Sequence, residues 1–364
     1  MNSAPLPEPD RLEGTEHPRF TETIYGQRVA EERFLNAFCS QRLLHAWLLT
    51  GPKGVGKATL AWKITKFLMM QAAKTQPDHA PVNLDVDPNH PVIRRILALS
   101  EPGLSLVRRS IDPRGKHLRR QITVEDIRLL GEQFALAPPD VLPWLAIVDA
   151  ADDMNNFAAN ALLKLLEEPP ANTFFFLVSH SPNLLLPTIR SRCGVLRCSN
   201  LNADMLKLAV EDATGLEIKD QVALFELTGG SVGDAVQLHA NRGLEIYSRL
   251  VKLLAMESNF SGLEATQLAD ECTGRNADTQ YETVTTSLLV LLARLTKVAS
   301  GINVNEAVSG EAACLTRLAQ CRSGKFWSNL HTRLSSDIGH AREVNLDPAS
   351  VVLDMLFKID QTAA

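Results

Sequence analysis

Residues Gly51 to Thr59 read GPKGVGKAT, a glycine-rich turn between the apolar run AWLLT (Ala46 to Thr50) and the helical pattern ATLAWKITKFLMM. No other stretch limits the fold so strongly. In such a turn the backbone N–H groups converge on a phosphate, helped by the positive end of the following helix. A lysine at the end of the turn reaches the terminal phosphates. The strand–loop–helix order commits this part of the chain to an α/β sheet. The pattern G-x-x-x-x-G-K-[ST] is met by Gly51, Gly56 and Lys57 and is then broken. Ala58 stands where a hydroxyl would hold Mg²⁺. Thr59 is a poor substitute, because one helical step turns a side chain by about 100°.

The same alternation continues from Phe20 to about Asn200. LAIVD ends a second strand at Asp149, a position suited to a metal-binding carboxylate, and Ala150 follows it. Asp152 and Asp153 lie beyond the strand and read as a helix cap or a solvated turn. The helix NNFAANALLKLLEE stops at Pro169 and Pro170, which cannot continue it. Its apolar residues form one stripe that predicts core packing, with Lys164 and Glu167 facing water or a neighbouring chain. TFFFLVS is a third strand ending at Ser179. Between Gln71 and Gln121 the many Pro, Asp and His residues predict an irregular insertion. After Asn200 the pattern becomes helical, with a break at Gly229-Gly230. SLLVLLARL, interrupted by Arg294, predicts a buried helix, and Asp347-Pro348 caps a last one.

Composition narrows the function classes. The 364 residues are 45% hydrophobic and 22% charged, with a formal charge of −5. That profile is globular and argues against a generally basic nucleic-acid binder. Cys39, Cys193, Cys198, Cys272, Cys314 and Cys321 include no C-x-x-C pair and read as reduced thiols of a cytoplasmic protein. The Pro- and Glu-rich residues 1–19 predict a disordered tail without a secretory signal. No apolar run approaches the roughly 20 residues of a membrane span. The insertion has no cysteine, and its scattered His79, His90 and His117 give no zinc site. The basic run RRSIDPRGKHLRR, Arg108 to Arg120, lacks aromatic residues and reads as a solvated loop before a DNA contact.

Taken together, LLHAWLLTGPKGVGK, NALLKLLEEPP and FFFLVSHSPNLLLPTIRSRC resemble the clamp-loader subunits of bacterial DNA polymerase III. IYGQ, QITVEDIRLL and NLDP extend the resemblance over almost the whole chain. It implies an α/β AAA+ P-loop domain, a parallel sheet with flanking helices, at residues 20–200. A small helical lid at 201–242 and an all-α collar at 243–364 would follow. It also implies a cytoplasmic, five-subunit ring with motor subunits of the gamma/tau type and a delta subunit. Such a ring places a sliding clamp on primed DNA as part of the polymerase holoenzyme.

One subunit type of the family hydrolyses ATP, and another keeps the fold with a degenerate nucleotide site. Here Ala58 and Ala150 replace the hydroxyl and the water-orienting glutamate, and Gly233 stands where a motor subunit's lid carries an arginine. The resemblance therefore implies the non-hydrolysing type; the alternative is an ATP-hydrolysing motor type. The degenerate site comprises Gly51, Gly54, Gly56, Lys57, Thr59 and Asp149. No cofactor is required and no metal site is expected, while residual ATP or ADP binding stays open. Arg192, in Ser191-Arg192-Cys193, would act in trans as an arginine finger on a neighbour's ATP.

Overall fold

A computed structural model describes residues 8–12, 14–73, 81–112, 117–135, 142–255, 262–274 and 277–363. Two compact units emerge. The first runs to Leu216 and includes Ser231–Gly233; the second holds Glu217–Gly230 and the chain from Asp234 onward.

The first unit is built on five strands: β1 (Ala46–Thr50), β2 (Leu104–Val107), β3 (Trp144–Asp149), β4 (Thr173–Ser179) and β5 (Gly194–Arg197). Their order is β2-β3-β4-β1-β5, and every neighbouring pair is parallel. A parallel sheet is covered on both faces, so its central strands are apolar on both sides. Trp47, Leu49, Leu145, Ile147, Phe176 and Val178 point into one core. The alternate residues Ala46, Leu48, Ala146, Val148, Phe175 and Leu177 point into the other. Helices α1 (Arg28–Cys39), α2 (Lys57–Ala73) and α3 (Pro91–Leu97) cover the first face. Helices α4 (Val124–Ala135), α5 (Asn156–Glu167) and the short α6 (Pro187–Arg190) cover the second. Asn155 opens α5 by accepting a hydrogen bond from the Ala158 N–H. This is the expected α/β arrangement of a parallel sheet with flanking helices, with the glycine-rich loop at the carboxyl end of a central strand.

Helix α7 (Ala203–Thr214) buries Leu206, Ala209 and Val210 in this first unit. The second unit is all helical. It contains α8 (Gln221–Thr228), most of α9 (Val232–Ala240), α10 (Gly243–Ala255), α11 (Gly262–Asp270), α12 (Ala277–Ala299), α13 (Glu311–Cys321), α14 (Gly324–Glu343) and α15 (Pro348–Ala363). Leu288, Leu291, Leu292 and Leu295 line the core side of α12, the helix predicted from SLLVLLARL. Asp347 caps α15 through the Ser350 N–H and hydroxyl. No helix among the described residues is long and apolar enough to cross a membrane.

Three expectations change. Residues 8–12 and 14–19 are held in place instead of forming a disordered tail; residues 1–7 and 13 lie outside the described residues. His17, 1% exposed, bonds Asp10 at 2.9 Å and meets the Trp62 ring edge-on. Asp10 also pairs with Arg108, and Arg19 joins Glu8 to the Leu97 carbonyl. Composition cannot reveal partners that lie up to 98 residues away. The stretch 71–121 is no simple insertion, since it supplies α3 and the edge strand β2. Only alternate residues of β2 are buried, so LSLV shows no continuous apolar run. The basic run is likewise engaged: Arg108 with Asp10, Arg109 with Asp153 and Arg119 with the Thr123 hydroxyl. Residues 113–116 of that run lie outside the described residues.

Candidate functional site

The carboxyl ends of β3, β4, β1 and β5 bring the sequence-predicted nucleotide residues to one edge of the sheet, as doubly wound folds do with their ligand sites. Thr50 leads from β1 into the loop, and Lys57 begins α2. The loop needs its glycines for close approach. Gly51 has φ of +144°, and a Cβ there would fall 2.1 Å from the Cys198 carbonyl oxygen. Gly54 has φ of +76°, and a Cβ there would meet Ser231 Oγ at 2.4 Å. The Ser231 hydroxyl donates to the Lys53 carbonyl, and the Gly233 N–H donates to the Gly54 carbonyl at 3.0 Å. Gly233 thus seats against the loop. A Cβ on it would lie 2.9 Å from Gly54 Cα, so the missing arginine is also a packing requirement here.

Lys57 is 3% exposed and folds back on its own loop. Its ammonium donates to the Gly51 carbonyl at 2.7 Å and to the Pro52 carbonyl. Burial brings its pKa down to about 8. Asp149 ends β3 and is also buried; burial first, then the nearby Asp10 charge, push its carboxyl up to about 7. Both effects disfavour charge in this pocket. Ala58 brings no oxygen, Thr59 is partly buried one step further along α2, and Gly56 continues the loop with φ of +93°. A hard divalent cation takes oxygen ligands, usually carboxylates and hydroxyls beside phosphates. This donor set does not fit Mg²⁺ in the manner of a hydrolysing site.

The two acidic residues after Asp149 are already committed. Asp152 accepts from Ser179 Oγ at 2.7 Å and from the His180 and Ser181 N–H groups, closing the end of β4. Asp153 pairs with Arg109 at 3.3 Å. Both carboxylates are thus bound to other groups of this unit. Sequence reasoning puts Asp152 in a cap or turn, and it does bind backbone N–H groups. The groups it caps lie 28 and 29 residues further along, at the end of another strand, which no local pattern reveals. His180, partly buried, has its pKa lowered to about 4 by burial and by Lys57.

Arg192 lies apart from these buried groups. It follows α6, in the turn that leads into β5, with its side chain 36% exposed. Its Nη1 donates to the Thr188 carbonyl at 3.0 Å, and its Nη2 meets Glu167 Oε1 at 2.7 Å. Glu167, expected to face water or a neighbour, is the last residue of α5 and is Arg192's ionic partner. Arg190 instead reaches Asn183 at 3.3 Å.

Residues 26–202 match the family "DNA polymerase III, delta subunit". Among curated relatives, the delta prime subunit of DNA polymerase III from Bacillus subtilis is 30% identical over 60% of this chain and 61% of its own length. The Pseudomonas aeruginosa delta prime subunit is 31% identical over 57% of this chain and 60% of its own. The chain therefore spans about three fifths of those relatives. The Bacillus subtilis tau subunit is 24% identical over 93% of this chain and 49% of its own length. Among solved structures, a DNA polymerase III gamma subunit-related protein from Thermotoga maritima aligns with 92% of this chain and 100% of its own at a TM-score of 0.41 and 17% identity.

Proposed function

We propose, from the match of residues 26–202 to the family "DNA polymerase III, delta subunit", that this chain is a delta prime-type clamp-loader subunit. In this reading it hydrolyses no ATP itself and completes a neighbouring motor subunit's site with Arg192. Its partners are gamma/tau-type motor subunits and a delta subunit in a ring that loads a sliding clamp on primed DNA. The helical segment 243–364 serves as its collar in that ring, and residues 201–242 as its lid.

One observation carries the reading. Asp152 and Asp153, the carboxylates that follow Asp149-Ala150, are both engaged with other groups, which supports a site that does not orient a hydrolytic water. Ala58 and the seating of Gly233 on Gly54 point the same way. Arg192, by contrast, is solvent-accessible and carries the planar guanidinium suited to a developing phosphoryl charge. An arginine supplied in trans contributes on the order of 10³–10⁵ in rate in related nucleotide hydrolases.

The test compares reconstituted rings of verified composition. Arg192→Ala should leave assembly intact and slow DNA- and clamp-stimulated ATP hydrolysis, with Arg190→Ala as the neighbouring control. Equal rates for wild type and Arg192→Ala would refute the trans role. The alternative, a motor-type subunit, draws on the tau relative aligned along 93% of the chain. Steady Mg²⁺-dependent turnover by the isolated chain, abolished by Lys57→Ala, would establish it instead.

A further inference from the structure

Arg192 is held by two groups from two different parts of the fold. Thr188 belongs to α6, four residues before it, and Glu167 closes α5. The two contacts use different terminal nitrogens, so they fix both the position and the plane of the guanidinium. We propose that Glu167 is a positioning residue, presenting Arg192 in the orientation in which it meets the phosphate of a bound nucleotide on a neighbouring subunit. The proposal rests on the trans role of Arg192 argued above.

The contact geometry distinguishes presentation from sequestration. A carboxylate that sequesters an arginine typically binds the fork bidentately, through two parallel N–H···O bonds. Here the guanidinium's hydrogen bond runs to the Thr188 carbonyl, and Glu167 adds an ion-pair contact at 2.7 Å. An arginine has five N–H donors, and the contacts to Thr188 and Glu167 occupy only part of the fork. Both side chains stay open to solvent, at 36% and 43% exposure, so an incoming anion has access. An exposed ion pair of this kind adds little to stability, which leaves orientation as its consequence. A long, flexible side chain held in place before the phosphate arrives loses less freedom on engaging it. The end of α5 is also fixed firmly enough to aim a side chain. Leu162 and Leu166 are buried in the core, and the His45 ring bonds the Leu166 carbonyl at 3.1 Å.

The experiment uses full-length chain in reconstituted rings and reads kcat and KM for ATP. The quantity of interest is the part of the rate that Arg192→Ala removes. Glu167→Ala should reduce that part on the order of tenfold with KM unchanged. Glu167→Gln keeps an acceptor oxygen and should recover most of it. In an Arg192→Ala background, Glu167→Ala should have no further effect. Thermal unfolding of the isolated variants should match wild type, which separates positioning from damage to the fold. A wild-type or higher rate for Glu167→Ala, or a loss that persists without Arg192, would overturn the proposal while leaving the arginine's role intact. If Arg192→Ala itself leaves the rate unchanged, the trans reading fails and the positioning role goes with it.

Discussion

Replacing Arg294 with methionine removes the cation from a buried ionic cluster in the helical unit. Arg294 lies on α12 with its side chain 4% exposed, and its partner Glu311 on α13 is 1% exposed. The guanidinium Nε donates to Glu311 Oε1 at 2.6 Å, while Nη1 reaches the Glu226 carboxylate at 3.1 Å and its carbonyl at 3.0 Å. The Tyr247 hydroxyl and the Ala307 N–H donate to Glu311, each at 2.6 Å. Without the guanidinium, Glu311 keeps two neutral donors but no counter-charge, and the carbonyls of Glu226 and Asn305 lose a donor. Breaking a buried pair from one side costs about 3–5 kcal/mol. For a unit of this size each kcal/mol lowers the midpoint by roughly 2–4 °C, which gives a fall of about 10 °C in the transition of that unit. Differential scanning calorimetry at neutral pH reads it directly. The double variant Arg294→Met, Glu311→Met should be less destabilised than Arg294→Met alone, because no orphaned carboxylate remains. A midpoint within about 2 °C of wild type for the single variant, or a double variant that is worse, would refute the reasoning.

Two further outcomes follow from the first unit. His180 stays neutral in the fold down to about pH 4 but gains a proton near pH 6.5 in the unfolded chain. The unfolded state therefore binds more protons between those values, and stability falls as pH drops from about 6.5 to 4, by up to about 3 kcal/mol; His180→Gln should flatten that slope in urea titrations, and unchanged slopes would exclude the histidine as its source. Gly51→Ala should destabilise the first unit by at least about 2 kcal/mol, since its Cβ would strike the Cys198 carbonyl at a φ that L-residues rarely adopt; a wild-type melting curve would contradict this.

Where the sequence speaks through local pattern, it is legible. The apolar runs at Ala46, Trp144 and Thr173 are central strands because both their faces are covered. Asp347 and Pro348 open the last helix because capping is decided within one turn. The edge strands carry a weaker local pattern. LSLV and GVLR are four residues each, and only half their positions are buried, so their pairing with neighbours shows no run of its own. Long-range polar contacts leave no local trace. Asp10 with Arg108, Asp152 with the end of β4 and Glu167 with Arg192 join residues 25 to 98 positions apart. Of the residues around Arg192, Thr188 belongs to the quoted motif, whereas the link to Glu167 follows only from the packing of α5 on α6.

Packing alone accounts for much of the glycine-rich loop. Gly51 admits the backbone after β5 through Cys198, whose N–H donates to the Thr50 carbonyl at 2.8 Å. Gly54 admits Ser231 and Gly233, which bond the Lys53 and Gly54 carbonyls. Lys57 supplies donors to the Gly51 and Pro52 carbonyls, which a loop curled this tightly cannot satisfy within a helix or strand. The strand fixed by Gly51 is β5, and Arg192 sits two residues before β5 begins. Cys198 and Arg192 thus flank opposite ends of β5, and the loop packs on the Cys198 end. Because Lys57 bonds carbonyls of its own loop, slower hydrolysis in a ring containing Lys57→Ala would not by itself demonstrate nucleotide binding by this chain. The ammonium bridges the loop, and its removal leaves the Gly51 and Pro52 carbonyls without their donor. Only direct titration of the isolated chain with nucleotide separates a ligand-binding lysine from one that has become part of the fold.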